Sequence, residues 1–173
     1  RLVWTLGAMA AEHVFYGENS RGVGGDVQSA TALAALMVGV WGMGPEPVDL
    51  SHLTFTDEDL RREAVEDYEQ RFERIGLQIM NRAASGSPMQ GDAISSILGD
   101  PAKKKAAAMI LGQAYVTAVC LVKHNREQVA RIADTLIERK ELHGDEVVDL
   151  LEAAQLEAPS IDVADERIWQ KVA

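Results

Sequence analysis

Hydrophobic positions along this 173-residue chain recur at helical spacing, and strand-like alternation is scarce. Apolar residues three and four apart share one face of a helix, the stripe that a bundle buries. The first such segment runs from about Leu2 to Phe15 and stops at Tyr16-Gly17, glycine being a natural helix terminator. A polar loop from Glu18 to Gly25 follows, with Gly22, Gly24 and Gly25 allowing close approach to the backbone. Ala30, Leu33, Ala34, Met37, Val40 and Trp41 then form a second stripe. They predict a helix from about Asp26 to Trp41, with Asp26 as its N-cap and Gly42 to Pro47 as the break after it.

A long third helix is predicted after Thr56, where Asp57, Glu58 and Asp59 complement the helix dipole. Leu60, Ala64, Tyr68, Phe72, Ile75 and Ile79 mark its apolar face, and the charged run from Arg61 to Glu73 its solvated side. Ser85-Gly86-Ser87-Pro88 ends it, and a short helix over about Asp92 to Leu98 follows. Asp100-Pro101 reads as an N-cap with proline at the first helical position, opening a helix that reaches about Lys123. Asn125 to Glu138 is the next helix, Lys140 to Gly144 the turn, and Asp145 the cap of a last amphipathic helix. The tail ends in Ile168-Trp169, expected to dock or to fray. The pattern predicts an all-α helical bundle, one domain over residues 1–173 with a soft boundary over 85–100.

Composition narrows the function classes. With 47% hydrophobic and 25% charged residues, the chain can bury a core of its own. Lys plus Arg number 17 against 27 Asp plus Glu, a net charge of −10, so no nucleic-acid partner is expected. The single cysteine, Cys120, lies on an apolar helical run and reads as a buried, inert thiol. A reducing, cytoplasmic compartment is the expectation, and no run of about 18 apolar residues announces a membrane segment. The opening Arg1-Leu2-Val3-Trp4 has no initiator Met and begins mid-pattern, so a longer parent is expected.

Candidate chemistry is sparse. His13, His52, His124 and His143 include no pair at i, i+4 spacing, so the chain has no His-Glu-x-x-His zinc helix. There is no phosphate-binding Gly-x-x-x-x-Gly-Lys loop, and Lys103-Lys104-Lys105 reads as a solvated face. His13 beside Glu12 is a conceivable metal ligand, with a helix-surface histidine the simpler reading. Asp26 stands out by its setting, after a glycine-rich loop and at the head of a helix. As an N-cap alone it would contribute about 1 kcal/mol.

The segment Gly22-Val23-Gly24-Gly25-Asp26-Val27-Gln28-Ser29-Ala30-Thr31, continuing through Met37-Val38 and Trp41-Gly42-Met43, resembles the FtsH-type family of ATP-dependent zinc metalloproteases. Upstream, Leu6-Gly7, Ala10-Ala11-Glu12 and Val14-Phe15-Tyr16-Gly17 resemble the family's Gly-Gly-Arg-Ala-Ala-Glu-Glu helix and its terminator. Downstream, Arg126-Glu127 through Ala133, Leu136 to Arg139 and Leu142 to Val147 resemble its C-terminal helical pair. The resemblance implies a helical peptidase domain whose zinc is held by two histidines and an aspartate, with Asp26 in the aspartate's place. It also implies polypeptide substrates, ATP used by a module outside this chain, a homo-oligomer (a hexamer in the family), and membrane tethering through other regions. The family's His-Glu-x-x-His helix is absent here, so this chain would bring one zinc ligand and no catalytic residue, and is expected to be inactive alone. Gly25 stands where the family has Asn, and Met9 where it has Arg, while the charged helix around 57–84 departs from its usual segment. Those substitutions keep a second reading open, a non-catalytic peptidase-like module serving assembly or protein binding.

Overall fold

The computed structural model describes residues 1–86 and 92–169, and the described residues are helical with no strand. In chain order the helices are α1 (Leu2–Thr5), α2 (Gly7–Tyr16), α3 (Gly24–Gly39), α4 (Glu58–Gly86), α5 (Asp92–Gly99), α6 (Pro101–His124), α7 (Arg126–Arg139), α8 (Asp145–Ala154) and α9 (Glu166–Trp169). The all-α expectation holds. The Ser87-Pro88 stop, and with it part of the expected boundary, lies outside the described residues.

Local chemistry sets most of the ends. Gly17 closes α2 at φ +77°, where a side chain would be strained. Asp100 caps α6 by accepting from the amides of Ala102 (2.9 Å) and Lys103 (3.1 Å), with Pro101 at the first helical position. The expected first helix is instead two, parted at Leu6, which turns its fully buried side chain inward. Asp145 is the first residue of α8 rather than its cap.

The core is built around α6. Its Ala107, Ala108, Leu111, Val116 and Val119 are buried, and α1, α2, α3, α4 and α5 all pack against it. By length and composition α6 could cross a membrane, which corrects the expectation that no such stretch exists. Most of that stretch is buried inside the fold, as in the central helix of a bundle.

Helix α4 is the principal partner of α6. Phe72, Ile75, Ile79, Met80 and Ala83 are buried, while Leu60, placed on the same face by spacing, is 51% exposed. Only the C-terminal half of α4 lies on the core. There the two backbones nearly touch: a Cβ on Gly76 would stand 1.8 Å from the Ala108 carbonyl oxygen, and one on Gly112 would stand 2.0 Å from that of Phe72. Side-chain-free positions on both helices make this crossing accessible.

The apolar stripe of α3 is also shifted from expectation. Val27, Ala30, Thr31, Ala34 and Ala35 are buried, whereas Val40 and Trp41, beyond the helix end at Gly39, are exposed. The tail docks. Trp169 stacks 5.9 Å from the Tyr68 ring and 5.1 Å from Phe72, and Arg71 binds Asp67 and Glu166 beside it. Asn125 and Glu157 exchange two hydrogen bonds of 2.8 Å, fixing the chain after α8.

Candidate metal-ligand site at the head of helix α3

The start of α3 is held from behind by a polar clamp. Glu12, on α2, accepts from the Ser20 amide through one carboxylate oxygen (2.6 Å) and from the Ser20 hydroxyl through the other (2.7 Å). These two bonds pull the Glu12 carboxyl below its usual range, because they stabilise the charged form. Ser20 Oγ in turn accepts from the Gly22 amide at 3.1 Å, capping a single 3₁₀ turn over Arg21–Val23. That turn passes directly into α3 at Gly24.

Two further contacts fix the same loop. Asn19 Nδ2 donates to the Met9 carbonyl of α2 at 2.6 Å. Arg82, near the end of α4, donates through Nη1 to Asn19 Oδ1 and through Nη2 to the carbonyls of Asn19 and Ser20, each at 3.1 Å. Three bonds from one planar guanidinium match the fork geometry that distinguishes arginine from lysine. No spacing rule links Arg82 to a loop more than 60 residues earlier, so sequence reasoning missed it. The serine at position 20, followed two residues later by a glycine amide, is the local signal for the turn.

Asp26 lies in the first turn of α3, with Val23 rather than Asp26 at the cap position. This corrects its expected role as N-cap. Its carboxylate is half-buried, and no hydrogen bond or ion pair reaches it from the described residues. Beside it, Cβ atoms placed on Gly24 and Gly25 would meet nothing within 4 Å. A helix dipole alone favours an acid here by about 0.3–1 kcal/mol.

The histidines are not gathered at Asp26. His52 lies 3.1 Å from Asp162, His124 lies 3.2 Å from Glu157, and His143 lies 3.4 Å from Glu141. His13 is half-buried on its helix. Its ring meets Tyr115 edge-on, centroids 6.4 Å apart, and its Nε2 atom is buried with no hydrogen-bond partner among the described residues. Burial also pushes the Tyr115 hydroxyl up to about 12. Among the described residues no group of three His, Cys, Asp or Glu could hold a metal. Among the described residues Asp26 is thus a single carboxylate with open space beside it, and no complete set of metal ligands surrounds it. Two surface clefts, of about 460 Å³ around Leu50 to Arg61 and about 310 Å³ around Arg71 and Trp169, do not include Asp26.

The model of Peptidase family M41 matches residues 1–150. Over 148 residues the chain is 30% identical to the ATP-dependent zinc metalloprotease FTSH 6, chloroplastic, of Arabidopsis thaliana, covering 84% of this chain and 18% of that protein. It is 31% identical to the ATP-dependent zinc metalloprotease FtsH 1 of Symbiobacterium thermophilum over 96% of this chain and 22% of that protein. It is 31% identical to the ATP-dependent zinc metalloprotease FTSH 8, mitochondrial, of Oryza sativa over 85% of this chain and 14% of that protein. The chain thus spans about a fifth or less of these relatives' length. No solved structure matches.

Proposed function

Because this chain belongs to Peptidase family M41, the FtsH-type peptidases, we propose that it is the C-terminal portion of the peptidase region of an ATP-dependent zinc endopeptidase, to which Asp26 supplies the third zinc ligand. The observation that carries this reading is the state of Asp26: half-buried, in the first turn of a helix, with no partner among the described residues, and beside two glycines that leave room for another element.

The chain's own part is to hold one carboxylate oxygen at a set position. A carboxylate can ligate zinc at about 2.0–2.2 Å, and a site with three protein ligands keeps a position for water. When bound, zinc lowers the pKa of that water toward about 7. The two histidines, and the glutamate that would serve as general base, would come from a His-Glu-x-x-His helix outside this chain. Unfolding and feeding of polypeptide substrates would fall to an ATPase module, also outside it. The exposed apolar side chains Leu136, Ile137, Val148 and Leu151 on α7 and α8 support assembly into a homo-oligomer.

The test is Asp26→Ala in the full-length protein. Bound zinc should fall and proteolysis should be abolished, with helix content nearly unchanged. Unchanged zinc stoichiometry would reduce Asp26 to a partner of the helix dipole. A parent gene lacking both histidines upstream would instead favour the non-catalytic module, for which the substitutions at Met9 and Gly25 speak.

A further inference from the structure

We propose that Arg82 is a positioning residue for Asp26, acting through the loop that leads into α3; the inference rests on the third-ligand reading above. Ser20 and Asp26 are joined by five residues, of which Gly22, Gly24 and Gly25 have no side chain with which to grip the fold. Val23, 3% exposed, is the apolar anchor between them. On the far side of Asp26, Val27 and Ala30 are fully buried and seat the body of α3, so the stretch left to be placed is the 3₁₀ turn and the first residues of the helix. How that stretch enters the first turn of α3 depends on what holds Asn19 and Ser20.

That hold comes from two helices. Glu12 and the Met9 carbonyl fix the loop to α2, and the Arg82 guanidinium fixes it to α4 through two successive carbonyls and the Asn19 amide oxygen. The α2 contacts tie the loop to one of the helices packed on α6. Arg82 adds the second point of attachment, on the helix locked most closely to α6. Two attachments on independent elements define an orientation, and one does not. Groups hydrogen-bonded directly to a metal ligand typically contribute 10- to 100-fold in metal affinity, and Arg82, which acts on the loop and not on Asp26 itself, belongs at the low end of that range.

The experiment uses full-length protein and compares Arg82→Met, Arg82→Lys, Arg82→Gln, Asp26→Ala and the exposed control Arg74→Met. Zinc affinity is read by chelator competition, the cobalt-substituted protein by its visible spectrum, and the fold by circular dichroism and thermal melting. Arg82→Met should weaken zinc binding about tenfold and change the cobalt spectrum, with helix content matching Arg74→Met. Arg82→Lys, which keeps the charge and reach to one carbonyl, should recover part of the loss. Zinc affinity unchanged in Arg82→Met but lost in Asp26→Ala would overturn the positioning role and leave the ligand reading standing. Affinity unchanged in both would overturn the ligand reading and this inference with it. Should Arg82→Met fail to fold, Arg82→Gln decides, since it withdraws the guanidinium from the Asn19 and Ser20 carbonyls and leaves the α2 contacts of the loop in place. A normal affinity and cobalt spectrum in that variant would overturn the proposal.

Discussion

Adding one methyl group at Gly112 should open the seam between α4 and α6. The new Cβ would stand 2.0 Å from the Phe72 carbonyl oxygen, where ordinary contact begins at 3.4 Å, so the backbones must part locally by about 1.4 Å. The obstacle is a helical carbonyl, which cannot rotate away as a side chain would. Overpacking of this kind costs roughly 1–3 kcal/mol, and parting the helices also loosens Phe72, Ile75, Ala108 and Leu111, all buried. Against this, alanine is favoured over glycine in a helix interior by about 1 kcal/mol. A 2.0 Å approach to a backbone atom belongs at the top of the overpacking range, so packing should win by about 2 kcal/mol. In urea, with a slope of about 2 kcal/mol per molar, the midpoint should fall by about 1 M, and the melting temperature by about 4–8 °C. Gly76→Ala, where the clash is 1.8 Å from the Ala108 oxygen, should behave alike. The double variant should cost less than the sum of the two, because both part the same helices. Gly7→Ala, whose Cβ meets nothing within 4 Å, is the control and should be neutral or slightly stabilising. If Gly112→Ala melts at or above the parent temperature, helix propensity has won and the close crossing is not what holds the core.

His13→Leu should stabilise the chain by about 1 kcal/mol, because it removes a buried ring nitrogen that has no partner among the described residues and keeps the bulk against Tyr115. A lower denaturation midpoint would show that Nε2 is satisfied in solution. Cys120 is half-buried, and burial pushes its thiol above the usual range, so native protein should react slowly with thiol reagents at neutral pH and faster in denaturant. The raised value also fixes the sign with pH: stability from the neutral thiol is present below the ordinary thiol range and lost as pH climbs through the shifted one. Rapid labelling of the folded chain at pH 7 would contradict both statements.

Much of the helical order was legible because it is local. Gly17 as a terminator and Asp100-Pro101 as a start act within a few residues, and the structure honours both. Where the stripes misled, the reason was tertiary. Leu60 sits on the apolar face of α4 but beyond the reach of α6, and Val40 and Trp41 continue a period whose helix has already ended. Periodicity says which face is apolar and nothing about how far a partner extends along it. The charged surface of α4 hides its place in the core for the same reason. Its solvated residues outnumber its buried ones, although the few that are buried lie at the centre of the core.

The candidate site divides along the same line. Asp26 could be singled out from a one-dimensional motif, because the glycines and the aspartate are neighbours in the chain. What holds it could not, since Glu12, Asn19 and Arg82 meet only when α2 and α4 are laid on α6. The crossing glycines and the clamp are thereby connected. Gly76 and Gly112 allow α4 to approach α6 closely, and that approach brings Arg82, six residues beyond Gly76, to the carbonyls of Asn19 and Ser20. Parting the two helices should therefore also strain the Arg82 bonds, so Gly112→Ala is expected to disturb the loop before α3 as well as the core. Hydrogen exchange at the amides of Ser20 and Gly22 reads this directly. Protection there that is lost at a lower denaturant concentration than protection in α6 would show the clamp failing first, as this coupling requires.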